Sequence, residues 1–159
     1  MPKDSAGVLL FRGDAPDGLE VLLAHPGGPI WAKKDDQGWT IPKGEPSKGE
    51  DLQAAARREF EEEMGSAPSG EFLPLGSLLQ PSGRKIVHVW AARAEFDVTS
   101  LKSNLFSMEW PPKSGRTQQF VEVDRAAWFP MAVARRKIWP GQVPFLDRLI
   151  DALAKLSRN

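Results

Sequence analysis

Three glutamates, Glu59, Glu62 and Glu63, stand at i, i+3 and i+4 in the run Arg58-Glu59-Phe60-Glu61-Glu62-Glu63. On a helix that spacing puts all three carboxylates on one face, within an arc about 100° wide. Like charges this close repel, and a helix gains nothing from them alone. A divalent cation between them removes the penalty, and three hard oxygen ligands suit Mg²⁺, with Mn²⁺ as the alternative. A wheel started at Leu52 carries Ala55 and Ala56 on the same side as the three acids, while Glu61 falls opposite. The inward stripe therefore runs on into carboxylates where a purely structural helix would continue with leucine or valine.

The elements that must hold this face are legible around it. The helix is expected from about Gly49 to Met64, with Gly65 as its C-cap. Residues 6–11 and 19–24 read as strands. The turn formers Gly13-Asp14-Ala15-Pro16-Asp17-Gly18 between them imply a hairpin. His25 to Gly38 reads as a long irregular loop, Trp39-Thr40-Ile41 as a short extended piece ended by Pro42, and 71–79 and 84–96 as two longer strands. Residues 120–123 suggest a further strand, 101–117 a loop, and 126–138 and 144–156 two helices. The second of these helices shows an apolar stripe of Leu146, Leu149, Ile150 and Leu153. No repeat or linker interrupts the chain, so a single mixed α/β domain over residues 1–159 is expected.

Composition narrows the partners. Hydrophobic residues make up 41% of the chain, an ordinary globular share. Without cysteine there are neither disulfides nor thiolate metal sites, which fits a cytoplasmic protein. The first residues lack the form of a signal peptide, and no run is long enough to span a bilayer. The net charge is zero, which argues against a stable nucleic-acid partner. It conceals an asymmetry, with acids in excess over residues 1–83 and bases in excess over 84–159. An acidic, metal-binding part facing a basic part suits a metal–polyphosphate complex as a small-molecule partner. Gly44-x4-Gly49 is followed by Glu50 where a phosphate-binding loop needs lysine, and no G-x-S-x-G, H-E-x-x-H or G-x-G-x-x-G is present.

The stretch from Gly44 to Ser66 resembles the signature of the Nudix hydrolases, G-x5-E-x7-R-E-U-x-E-E-x-G-U, where U is a bulky aliphatic residue. Gly44, Glu50, Arg58, Glu59, Glu62, Glu63 and Gly65 fall at the required spacing. Phe60 replaces the first U, and Ser66 departs from the last. The resemblance implies an α/β/α sandwich with a mixed β-sheet, and hydrolysis of a pyrophosphate bond in nucleoside polyphosphates by a metal-dependent enzyme. It makes Glu59, Glu62 and Glu63 the main metal ligands, adds the Gly44 carbonyl, and places Glu50 as an outer-sphere or water-orienting carboxylate. Arg58, counted with the catalytic set, is expected to orient a glutamate or tie down the loop rather than touch substrate. Glu59 and Glu62 are candidate bases within the helix, and Glu109 and Glu122 outside it. Lys43, Arg84, Lys85 and Arg116 are expected at the phosphates. Trp39 and Trp31 could stack on a base, whereas Trp90 reads as core and His25 and His88 as structural. Trp39-x-x-Pro42-Lys43-Gly44 is similar to the approach to this signature in diadenosine polyphosphate hydrolases, which inclines the expected substrate that way over nucleoside triphosphates. The alternative is a Nudix fold kept as a nucleotide-binding or regulatory module without catalysis.

Overall fold

The computed structural model describes residues 1–14 and 17–158. Ala15 and Pro16, in the expected hairpin turn, lie outside the described residues. Strand β1 (Lys3–Arg12) is apolar on both sides, as a strand buried on two faces must be. Ala6, Val8 and Leu10 point to one face, and Leu9 and Phe11 to the other. β2 (Glu20–Pro26) pairs antiparallel with the end of β1, through Phe11 opposite Val21 and Arg12 opposite Glu20. The start of β1 pairs instead with the two-residue β3 (Lys43–Gly44), Ala6 facing Gly44 and Gly7 facing Lys43. One flank of β1 thus changes partner midway, and the sheet splits there.

Helix α1 (Leu52–Met64) crosses the split. It begins later than Gly49 because Asp51 is its cap, accepting from the Ala54 N–H at 3.0 Å, while Gly49 turns at φ +77. Gly65 ends it in the left-handed conformation at φ 97, as expected. Ala55, Ala56, Phe60 and Met64 are fully buried against Ala6, Val8, Leu10, Leu22 and Ala24, so the phenylalanine in the glutamate run is a core residue.

β4 (Leu73–Leu79) and β5 (Lys85–Arg93) extend the sheet. β5 lies parallel to β1, which makes the sheet mixed, in the order β4-β5-β1-β2, with a last strand, β8 (Val123–Pro130), beyond β2. β6 (Leu105–Glu109) and β7 (Thr117–Val121) form a separate two-stranded sheet. The loop expected over 101–117 therefore contains a strand. Its alternation is short, with Phe106 and Met108 half-buried between exposed Leu105, Ser107 and Glu109, and only pairing with β7 makes it a strand.

β8 (Val123–Pro130) occupies residues expected to be helical from Ala126. The alanines favour a helix, but here Ala126 and Ala127 face Ala24 and Leu23 in the β2 ladder, and ladder pairing overrides propensity. Helix α2 starts only after Pro130 (Met131–Lys137), and α3 follows (Val143–Ser157). Both cover the face opposite α1, with Met131, Ala134, Phe145, Leu146 and Leu149 against Leu9, Phe11, Val21 and Leu23. The result is an α/β/α sandwich. Among the described residues no helix is long and apolar enough to cross a membrane.

Gln142, wholly buried, ties the segment before α3 to the extended piece before β3. Its Oε1 accepts from Ile41 N–H at 2.9 Å, and its Nε2 donates to Thr40 Oγ1 at 2.9 Å. Gln142→Ala strands these buried groups, so it should cost about 2–3 kcal/mol in urea unfolding. An unchanged midpoint would show that water replaces the side chain.

Candidate active site on the glutamate helix

The last two turns of α1 stand over β3 at the split in the sheet, beside a cleft of about 510 Å³. Gly44, Glu45, Glu59, Glu63 and Glu122 form its acidic end, and Ile30, Trp31, Phe106 and Met108 are among the residues of its apolar end. Gly44 is needed for closeness, since a methyl group there would collide with the Glu59 carboxylate.

Glu63 lies against the backbone of β3, its Oε1 3.3 Å from the Lys43 N–H. Burial pushes its carboxyl up to about 8, against the opposing pull of the Lys43 charge. Glu59 is also raised by burial, although Arg58 counters it, and Glu122 is raised by burial and then by Glu59 and Glu62. A carboxylate group short of solvent and short of positive charge is the electrostatic setting a divalent ion satisfies.

Arg58 holds part of this set. Its guanidinium donates to both oxygens of Glu50 at 2.9 Å, to Glu59 at 2.9 Å, to Glu62 at 3.1 Å and to the Glu45 carbonyl at 3.2 Å. Those bonds raise the arginine further and hold Glu50 down at about 2, with help from the Ser47 N–H. Among the described residues no three ligand-type side chains are gathered around one point, because Arg58 draws Glu59 and Glu62 toward itself. The donor set nevertheless fits a hard cation: all its side-chain atoms are carboxylate oxygens, and a glycine admits one of them to the backbone.

The hairpin of β6 and β7 is rooted on this helix. Lys102 N–H donates to the Met64 carbonyl at 3.2 Å, Asn104 N–H to the Glu62 carbonyl at 2.9 Å, and Glu122 N–H to the Asn104 carbonyl at 2.8 Å. These bonds bring Phe106 and Met108 onto the cleft and turn Glu122 toward Glu59 and Glu62.

Other expected site residues lie elsewhere. Trp39 is only 4% exposed, edge-on to His25 and Phe129 in the core, so it offers a base no open face. Trp31 lines the cleft instead. The Lys43 side chain leaves β3 on the face of Gly7, away from α1, and its ammonium lies 5.3 Å from the centre of the Trp139 ring. Burial and then Lys85 lower its basicity. Arg84 and Arg116 stand exposed in turns and, like Lys85, are not on the cleft wall. The expected meeting of an acidic part with a basic one does not describe this cleft, since 84–159 supplies Phe106, Met108 and Glu122 to it. Glu109 is spent on its own turn, accepting from the N–H groups of Lys113 and Gly115. Ile30, Phe106 and Met108 escaped the sequence reading. The one signal for the last two was their period-2 spacing before Pro111-Pro112.

The NUDIX domain family profile matches residues 1–149. No curated protein sequence matches the chain closely enough to count as a relative. Similar solved structures include the NUDIX domain of Shewanella oneidensis NrtR complexed with ADP ribose, with a TM-score of 0.64 at 16% identity, covering 96% of this chain and 89% of that one. A mutT/nudix family protein from Listeria innocua gives 0.63 at 19% identity, covering 98% and 96%. A C. elegans Ap4A hydrolase binary complex gives 0.60 at 24% identity, covering 96% and 98%. These likenesses are of fold, and together with the profile over nearly the whole length they show that the chain belongs to the NUDIX domain family.

Proposed function

We propose that this protein hydrolyses a pyrophosphate bond of a nucleoside polyphosphate with the aid of Mg²⁺, Mn²⁺ being the alternative. The observation that carries this reading is a single cleft with desolvated carboxylates at one end and Trp31 and Phe106 at the other. A polyphosphate bridged by metal suits the first, and a nucleobase suits the second. The similarity of Trp39 to Gly44 to diadenosine polyphosphate hydrolases, and the fold shared with an Ap4A hydrolase, favour a dinucleoside polyphosphate over a triphosphate.

Glu59, Glu62, Glu63 and the Gly44 carbonyl would hold the metal. When bound, it would neutralise charge developing on the phosphate oxygens and acidify an attacking water. Arg58 holds Glu59 and Glu62 in place and keeps Glu50 ready as an outer carboxylate. Glu122 comes from a separate element, is raised by burial, and faces the helix acids, which suits a base taking the proton of water. Lys43, turned away from α1 onto Trp139, and Lys85 lie off this cleft and are given no phosphate contact. Arg84 and Arg116 have no role in the proposed reaction.

Phosphate release from a panel of nucleotides with Mg²⁺ tests the reading. Turnover should fall by about 10²–10⁴-fold in Glu63→Gln and Glu122→Gln while both variants stay folded, with cooperative melting. Nucleotide binding without turnover would instead mark a binding module, and full activity in both variants would misplace the site.

Metal-free stability offers a second test. The folded protein holds the Glu63 proton up to about pH 8, whereas the unfolded chain releases it near the ordinary 4.5. Between these values the native state binds more protons, so this contribution to stability is complete below about pH 4.5 and is lost as pH rises toward 8. Melting in EDTA should therefore drop across that window more than in Glu63→Gln, and Mg²⁺ should restore it most at the alkaline end. Equal pH slopes in the two proteins would contradict the burial of this carboxyl.

A further inference from the structure

His25 closes β2 with no exposed surface, just before the loop that carries Ile30 and Trp31 onto the cleft. Its Nε2 lies 2.6 Å from the Lys34 carbonyl oxygen, and its Nδ1 lies 2.8 Å from Asp124 Oδ1. A carbonyl oxygen only accepts, so Nε2 carries a hydrogen. Asp124, partly exposed and with Arg125 Nε at 3.7 Å, sets a carboxyl oxygen against Nδ1 as a second acceptor. The ring is thus stretched between two acceptors. One acceptor lies in the loop, and the other lies on β8 two residues after Glu122. Additional contacts brace the same loop. Trp31 stacks on Trp139 at 5.2 Å, Gln37 N–H donates to the Arg136 carbonyl at 3.0 Å, and Lys137 pairs with Asp35 and Asp36. His25 joins the loop to the strand that follows the catalytic candidate Glu122, and the Gly27 N–H donates to the Glu122 carbonyl at 2.9 Å at the start of the loop.

We infer that His25 is a positioning residue, a buried ring held between two acceptors that pins the 27–38 loop to β8 and so sets the distance between the Ile30–Trp31 wall and the carboxylate end of the cleft. This deepens the nucleotide-hydrolysis reading and rests on it for its kinetic consequence: His25 governs the hold on the nucleobase and leaves the chemical step alone. A residue of merely structural importance would lower stability without this selectivity.

Three measurements decide it. In ¹⁵N spectra of the wild-type side chains, His25 Nε2 should carry a proton, and a bare Nε2 would overturn the inference. Asp124→Asn should move the Nδ1 signal, and an unmoved signal would show that Asp124 does not hold the ring. His25→Phe keeps a ring beside Trp39 but no donors. It should speed amide exchange within 27–38 and raise KM about tenfold or more, with kcat within about threefold. Unchanged exchange, or a fall in kcat at constant KM, would overturn the assignment. Asp124→Asn, altered at a partly exposed site, should show the same exchange and KM trends to a lesser degree should His25→Phe not fold. Absence of turnover in the wild-type protein would refute the enzymatic reading alone, because the spectra and the exchange need no substrate.

Discussion

Mutual repulsion among carboxylates that are partly withdrawn from water is the constraint around which this domain is arranged. Glu59, Glu62, Glu63 and Glu122 share one region, and one guanidinium answers only part of their charge. Arg58 reaches Glu59 and Glu62 but not Glu63, which is left with the peptide N–H of Lys43 and the more distant ammonium of that residue. The imbalance costs stability in the isolated chain and favours cation capture. Arg58 also binds Glu50 through two parallel bonds, so the loop before the helix is fixed by the charge that restrains the helix acids.

That arrangement is possible because the sheet splits. β1 gives its first half to β3 and its second to β2, and the helix lies across the junction with Phe60 and Met64 as anchors. Anchoring by Phe60 fixes the helix rotation, which leaves Glu59 and Glu63 at the cleft and Glu61 in solvent. One turn of sequence thus alternates between packing and chemistry, and neither can be changed without moving the other.

Much of this is legible in the sequence. The i, i+3, i+4 acids, the alanine stripe and Gly65 located the helix, its inward face and its end, because these depend on local periodicity and backbone conformation. β8 was misread because Ala126 and Ala127 prefer a helix when considered alone, and their partner in β2 is distant in sequence. The aromatic assignment failed for a similar reason. Trp39 and Trp31 are equally apolar, and only tertiary packing buries the first and leaves the second at the cleft. Glu122 could be named as one acid among several. Its place beside the helix follows from hydrogen bonds between Glu62, Asn104 and Glu122, which no single segment encodes.

Those same bonds make the hairpin a graft upon the end of the helix. Its root is clamped at Met64 and Glu62, while the stretch from Trp110 to Arg116 forms a free outer turn. Residues could be inserted into or deleted from that turn without disturbing the acids of the helix. Selection could in this way reshape the apolar wall of the cleft while its acidic end stays constant.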